Sequence, residues 1–193
     1  MSSLDRIRAL ITPLRTAMAN FDCVSVQSAL GEVMTEDAIV HLCHPFGDLS
    51  GRQELYDVAY APLFNALPDL ERRDWIVSAG TDADGHDWIG CAGHYVGTFT
   101  RPFLDIPQTG HFAHMRFHEF YRVEDSRVVE MQAIWDIPEL MMQAGAWPMV
   151  PSLGREMYIS GPASQDGLFF EARTATQSAQ SLETVIGMLT NLS

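Results

Sequence analysis

The chain has 193 residues, an apolar content of 47% and a formal net charge of -13. The negative charge argues against nucleic acid or an anionic membrane surface as a partner, and no apolar run approaches the length of a transmembrane helix. The N-terminus lacks a signal-peptide pattern, and Cys23, Cys43 and Cys91 are scattered without metal-ligand spacing. We therefore predict a cytoplasmic protein with reduced thiols.

Helical patterns dominate the first third of the chain. Apolar residues recur at helical spacing over residues 4–21, where Pro13 predicts a kink. A second, shorter helix is predicted over residues 23–34, and a third begins at Ser50-Gly51. Between them, Ile39–Cys43 has the composition of a short strand.

Strand patterns follow the helices. We predict strands at about 71–80 and 86–100, then a hairpin over Gly110–Asp136 and a short helix over Pro138–Ala144. Helices followed by antiparallel strands are typical of an α+β domain, in which the helices pack on one face of a curved sheet.

The last part of the chain changes character. Proline and glycine punctuate it like a linker, and a helical pattern returns from Ala172 to Leu192. We predict one domain over residues 1–150 and an extension over residues 151–193. The extension either docks on a partner subunit or opens a second domain.

The predicted hairpin places ionisable residues on one face. A three-residue loop of Glu124, Asp125 and Ser126 would pair Val123 with Arg127. One face then carries His114, Arg116, His118, Gln132, Ile134 and Asp136. The other carries Met115, Phe117, Glu119, Tyr121, Met131 and Trp135. Because unpaired buried polar groups are costly, we interpret the ionisable face as the wall of a site. The apolar face, taken as the outer one, predicts a homodimer packed through it.

Several segments of the chain, taken in order, resemble one protein family. They are His44–Gly51, Leu67–Leu70, Gly93–Thr100, Gln108–Gly110, Arg127–Glu130, Asp136 and Leu140–Pro148. Their order and spacing over roughly residues 4–150 resemble the SnoaL-like polyketide cyclases, also called predicted ester cyclases, of the nuclear transport factor 2-like superfold. The chain departs from the family pattern at Ser126, Gln132 and Ala144.

The resemblance implies a cone, in which a strongly curved antiparallel sheet wraps around helices and encloses a pocket. It also implies an intramolecular aldol closure of a polyketide ester, without metal or organic cofactor, in which an aspartate serves as acid and base. Matching the motif places that aspartate at Asp136, six residues after Glu130. The alternative for Asp136 is a cap on the helix that begins with Pro138.

Further site residues are predicted around Asp136. His114 would orient its carboxylate or polarise a carbonyl oxygen, unless it merely lines a cavity. The predicted substrate-binding residues are His118, Arg116, Gln132, Ile134 and Tyr95. For Arg116, the alternative is an ion pair with Glu130 or another acid.

No metal site or other cofactor is predicted. The histidine pairs His41/His44 and His111/His114 are spaced three apart on strands, so the members of each pair face opposite sides. The sequence thus predicts a cofactor-independent, cyclase-type enzyme acting on a small to medium apolar carbonyl compound. Two alternatives stay open: an isomerase or epoxide hydrolase in the same pocket, and a non-catalytic ligand-binding or dimerisation protein.

Overall fold

The computed structural model describes residues 3–151, 153–154, 157–168 and 174–192. Three helices open the chain: α1 (Ser3–Ala9), α2 (Thr12–Ala19) and α3 (Cys23–Val33). The helix predicted over residues 4–21 is two helices, and Pro13 lies in the first turn of the second, where its missing amide hydrogen costs least. Asp22 caps α3, because its side chain accepts a hydrogen bond from the Ser25 amide at 2.9 Å.

Six strands form a single sheet: β1 (Met34–Leu42), β2 (Asp48–Ser50), β3 (Glu71–Thr81), β4 (Asp87–Thr98), β5 (Phe112–Glu124) and β6 (Arg127–Trp135). Their order is β2-β1-β6-β5-β4-β3. The α+β class is confirmed, but the sheet is mixed rather than purely antiparallel, since β1 runs parallel to β6. A parallel pair needs a long crossover, and here almost all of the domain lies between the two strands.

The remaining helices connect or follow the strands. Between β2 and β3 the chain forms α4 (Gly51–Leu55), a π-helical turn (Tyr56–Tyr60) and α5 (Ala61–Ala66). After β6 it forms α6 (Ile137–Gln143), and the extension ends in α7 (Ala175–Thr190). Among the described residues, no helix combines the length and the apolar character needed to cross a membrane.

The turn between β5 and β6 differs from the prediction. Glu124 pairs with Arg127, so the loop has two residues, Asp125 and Ser126, which both have positive φ angles (48° and 62°). Two left-handed residues are typical of a tight hairpin turn of type I′. A bulge follows in β6, and beyond it His118 lies opposite Ile134. The predicted register is therefore wrong by two residues, but a shift of two leaves each side chain on its predicted face.

The two faces of the hairpin are the reverse of the prediction. The supposed outer residues lie in the core, each at most 2% exposed: Met115, Phe117, Tyr121, Met131 and Trp135. His118, Gln132 and Ile134 lie on the exposed outer face. Burying the aromatic face is the more favourable choice, because it removes the larger apolar area from water. The apolar face is thus unavailable as a dimer interface, and association of two copies stays a prediction.

Gly93 in β4 is required by a close approach of two backbones. A Cβ atom at this position would lie 2.1 Å from the carbonyl oxygen of Arg73 and 2.8 Å from Cα of Asp74. We expect Gly93→Ala to lower the free energy of unfolding by about 1–3 kcal/mol, because backbone atoms cannot yield as a side chain can. Urea unfolding measures the change. Gly80→Ala in β3 is the control, since nothing lies within 4 Å of its Cβ; equal losses in the two variants would contradict the account.

The extension contacts the edge and the outer face of the sheet. The Val77 amide donates to the Gly167 carbonyl at 2.9 Å, and Arg73 Nη1 donates to the Tyr158 hydroxyl at 3.5 Å. The helix predicted from Ala172 to Leu192 is confirmed over α7, while residues 172 and 173 lie outside the described part of the chain. The apolar side chains of α7 are exposed. Whether the extension docks on a partner or opens a second domain stays a prediction.

Candidate active site

The inner face of the sheet holds a buried carboxylate, Glu119 of β5. Its oxygens accept hydrogen bonds from Tyr121 Oη (2.6 Å), Tyr95 Oη (2.7 Å) and Trp135 Nε1 (3.0 Å). Arg72 Nη1 forms an ion pair with it at 2.5 Å. Burial raises the pKa of Tyr95 and of Tyr121 well above the ordinary value, so both hydroxyls stay protonated as donors. Glu119 thus joins Arg72, Tyr95, Tyr121 and Trp135 in the core through one ion pair and three hydrogen bonds.

This inner network was missed by the sequence prediction, which placed Glu119 on an outer face. Tyr95, predicted to contact substrate, is fully buried here and donates its hydroxyl hydrogen to Glu119. Arg72 extends the network, because its Nε donates to Asp74 at 3.0 Å and Asp74 in turn pairs with Arg15 at 2.7 Å. The sequence did contain a signal for this network, since Glu119 lies between Phe117 and Tyr121 on one face of the strand. A charge among aromatic residues is rarely buried without a partner.

A second cluster lies on the outer face, where α6 crosses the first half of β5. Glu139 Oε1 is 3.2 Å from His114 Nδ1, and Glu139 Oε2 is 3.8 Å from His94 Nε2. The Arg116 amide donates to Glu139 Oε2 at 2.9 Å. His94, His114 and Glu139 are 0%, 7% and 1% exposed. Burial by itself would raise the pKa of Glu139, but the facing imidazoles and the Arg116 amide outweigh it and hold that pKa below its usual range.

Side chains of α6 fix the helix against β5 by making the backbone hydrogen bonds that a neighbouring strand would otherwise make. Beyond the end of β6, the His114 amide donates to Gln143 Oε1 at 3.0 Å, and Gln143 Nε2 donates to the His114 carbonyl at 2.6 Å. The Arg116 amide likewise donates a hydrogen bond to Glu139 Oε2. Because buried backbone groups need partners, these contacts determine where α6 lies and bring Glu139 to the two histidines.

Asp136 lies at the junction of β6 and α6. Its amide donates to the Arg116 carbonyl at 2.8 Å, so the two residues lie directly opposite each other. Its Oδ1 accepts from the Glu139 amide at 3.1 Å, which confirms the predicted helix cap. Asp136 is half-buried. Among the described residues no hydrogen bond joins it to His114, which faces Glu139 instead.

The predicted site residues therefore fall into three groups. His114, Arg116 and Asp136 meet around Glu139. Three others lie on the exposed strand surface, so their predicted place inside the sheet is wrong: His118, Gln132 and Ile134. Tyr95 lies in the inner network. Their contact with a substrate stays a prediction.

The Arg116 side chain is partly exposed, although its Nε is buried without a hydrogen-bond partner among the described residues. Its side chain is 36% exposed, and its Nη2 is 3.9 Å from Glu139 Oε1. The acid proposed for it in the sequence, Glu130, instead pairs with Arg122 at 2.8 Å. The ion-pair alternative thus holds with another acid, although 3.9 Å is too long for a hydrogen bond. The guanidinium remains able to approach a bound molecule.

Comparison with known proteins identifies the family. The family model described as SnoaL-like polyketide cyclase matches residues 14–144. The chain belongs to this family. The match includes β1 to β6, Asp136 and all of α6, whereas the extension lies outside it. No curated protein matches this SnoaL-like chain in sequence.

Solved structures share the fold of this SnoaL-like chain. AclR from Streptomyces galilaeus, described as "a putative hydroxylase", is 18% identical with a TM-score of 0.62, over 78% of this chain and 92% of that one. IdmH from Streptomyces antibioticus, "a putative polyketide cyclase", is 23% identical with a TM-score of 0.59, over 72% and 98%. An NTF2-like protein from Burkholderia thailandensis is 17% identical with a TM-score of 0.54, over 72% and 96%. These likenesses show the nuclear transport factor 2-like fold.

Proposed function

We propose that this SnoaL-like protein is an acid/base enzyme of the polyketide-cyclase type, in which Asp136 takes a proton from the carbon beside a carbonyl group. The observation that carries the proposal is the position of Asp136, half-buried and directly opposite Arg116. A carboxylate and a guanidinium suit an enolisation, since the first can remove the proton and the second can attract the enolate oxygen.

Access to substrate separates Asp136 from the other acids nearby. Glu119 is fully buried and accepts hydrogen bonds from three side chains besides its ion pair. Glu139 is also buried, and both of its oxygens face donors or imidazoles. Asp136 uses Oδ1 for the helix cap, and its partial exposure supports approach of a substrate to the carboxylate. A base must reach the proton that it removes.

The cap supports catalysis as well as the fold. A carboxylate held by the first turn of α6 has little freedom to rotate, and a fixed orientation lowers the entropic cost of reaching the reactive geometry. Arg116 lies opposite Asp136 just beyond the β5–β6 pairing, since its carbonyl accepts a hydrogen bond from the Asp136 amide at 2.8 Å. Its guanidinium can move onto an enolate oxygen, because its bond to Glu139 is long and its side chain is part-exposed.

The proposed reaction balances within the substrate and this one carboxylate. Asp136 removes the proton from the carbon beside the carbonyl, and the electron pair of that bond becomes the enolate. The enolate carbon then forms a bond to a second carbonyl carbon of the same molecule. The oxygen of that carbonyl takes the proton back from Asp136. The step uses no oxidant or reductant, and the substrate class is a chain with two carbonyl groups, such as a polyketide ester.

Deuterium uptake tests this proposal without knowledge of the natural substrate. We expect the purified chain to catalyse exchange of the α-hydrogens of an aromatic β-keto ester in D2O, because enolisation precedes ring closure. Mass spectrometry measures the uptake against the uncatalysed rate. Exchange no faster than in buffer, with several β-keto esters that bind the protein, would contradict the proposed function and favour a binding protein.

A further inference from the structure

We infer that His94, His114 and Glu139 form a binding site for a divalent transition-metal ion, a site for which the sequence offered no motif. The three residues come from β4, β5 and α6, and one ligand atom of each lies within 4.8 Å of the others. Two imidazoles and one carboxylate form a donor set that suits Zn²⁺ or Fe²⁺. The inference is independent of the proposed function, because it concerns Glu139 rather than Asp136.

The ring nitrogens of His94 are the first reason for the inference. His94 is fully buried, and neither Nδ1 nor Nε2 has a hydrogen-bond partner among the described residues. Buried polar atoms without partners are rare and costly, and ion binding at such atoms is one of the known explanations. His94 Nε2 points towards Glu139 Oε2 at 3.8 Å, a distance too long for a direct hydrogen bond.

The contact between His114 and Glu139 is the second reason. His114 Nδ1 is 3.2 Å from Glu139 Oε1, yet the angles do not satisfy a hydrogen bond and Nδ1 is left without a partner. Zinc bonds to nitrogen and oxygen are about 2.1 Å long, which places neighbouring ligand atoms roughly 3.0–3.5 Å apart. The observed separation of 3.2 Å lies in that range and the other, 3.8 Å, is slightly longer, so small side-chain rotations would complete the site.

The surroundings support a bound ion. The Trp75 ring packs 4.3 Å from the His94 ring, and the Tyr158 ring lies 5.2 Å from His94 and 5.5 Å from His114, measured between centroids. These aromatic walls limit the access of water and hold the imidazoles in place. Tyr158 belongs to the extension, so the extension helps to enclose the cluster.

Charge at the cluster also matters. The carboxylate of Glu139 provides one negative charge for a divalent cation, and the Arg116 guanidinium is the nearest positive group, with Nη2 3.9 Å from Glu139 Oε1. Repulsion between the two cations would weaken binding if the guanidinium stayed there. Because the Arg116 side chain is partly exposed, its guanidinium can turn towards solvent. The proposed contact with an enolate oxygen would likewise draw the guanidinium away from Glu139.

Metal titration of the intact chain tests the inference. After treatment with a chelator and dialysis, we expect the protein to bind one Zn²⁺ or one Co²⁺ per chain. Bound Co²⁺ should show visible absorption bands typical of nitrogen and oxygen ligands. Zn²⁺ should also raise the melting temperature, because an ion that binds the folded state stabilises it.

Three variants locate the ion. Glu139→Gln keeps the size of the side chain and an acceptor for the Arg116 amide, and His114→Ala removes a ligand; both should lose the bound ion and the rise in melting temperature. His86→Ala is the matched control in the exposed cluster Asp82, Asp84 and His86, and it should bind like the wild type.

Several outcomes would overturn the inference. They are no binding by the wild-type chain at micromolar metal, unchanged binding by Glu139→Gln, and loss of binding in His86→Ala alone. If His114→Ala does not fold, Glu139→Gln decides the question, because it leaves both imidazoles and the cap of α6 in place. Failure of the wild-type chain to bind metal, together with intact deuterium exchange, would refute this site and leave the proposed function standing.

Discussion

Replacing Asp136 by asparagine is expected to lower turnover of a cyclisable β-keto ester by about a hundredfold to ten-thousandfold, the usual contribution of a general acid/base group. The amide has nearly the shape of the carboxylate but cannot take up the proton. Stability should hardly change, because asparagine caps a helix about as well as aspartate and can still accept from the Glu139 amide, as Oδ1 does now at 3.1 Å.

The same measurement separates catalysis from capping. Thermal melting should show wild-type stability for Asp136→Asn, while Asp136→Ala should lose about 0.5–2 kcal/mol along with the cap. Asp22→Asn is the matched control, since Asp22 caps α3 through the Ser25 amide at 2.9 Å. Wild-type turnover in Asp136→Asn would leave Asp136 as a cap only.

Replacing Glu119 by glutamine is expected to cost about 3–5 kcal/mol of the free energy of unfolding, because it breaks the fully buried ion pair with Arg72, whose guanidinium then keeps only Asp74 as a charge partner. Both side chains of this ion pair are 0% exposed. The glutamine NH2 group would also face a donor of the network, either Tyr121 in the place of Oε2 or Tyr95 and Trp135 in the place of Oε1. Urea denaturation monitored by tryptophan fluorescence measures the loss.

An exposed ion pair of the same sheet provides the comparison. Glu71 and Arg73 pair at 2.8 Å, and each side chain is 45% exposed. Glu71→Gln should therefore change stability by no more than about 1 kcal/mol. A stable Glu119→Gln protein would show that the inner network does not hold the core. If that stable variant also lost turnover, the proposed role of Asp136 would be in doubt.

Local patterns predicted the elements well. The spacing of apolar residues identified α3 and, as one kinked helix, the region of α1 and α2, and Asp136 followed by Pro138 identified the start of α6. Alternation along β5 and β6 sorted their side chains correctly into two faces, even though the turn has two residues rather than three. An error of two residues in register is harmless to the faces because side chains alternate with a period of two.

The sequence by itself determined which residues share a face or a helix turn, because these relations depend only on the local periodicity of the backbone. It could not decide which face of β5 and β6 lies inside, since that depends on where the helices pack. Nor could it bring together Glu119 with Arg72, which come from two strands, or Glu139 with His94 and His114, which come from a helix and two strands. Only the tertiary structure decided these contacts, through long-range packing and the need to give buried polar groups partners.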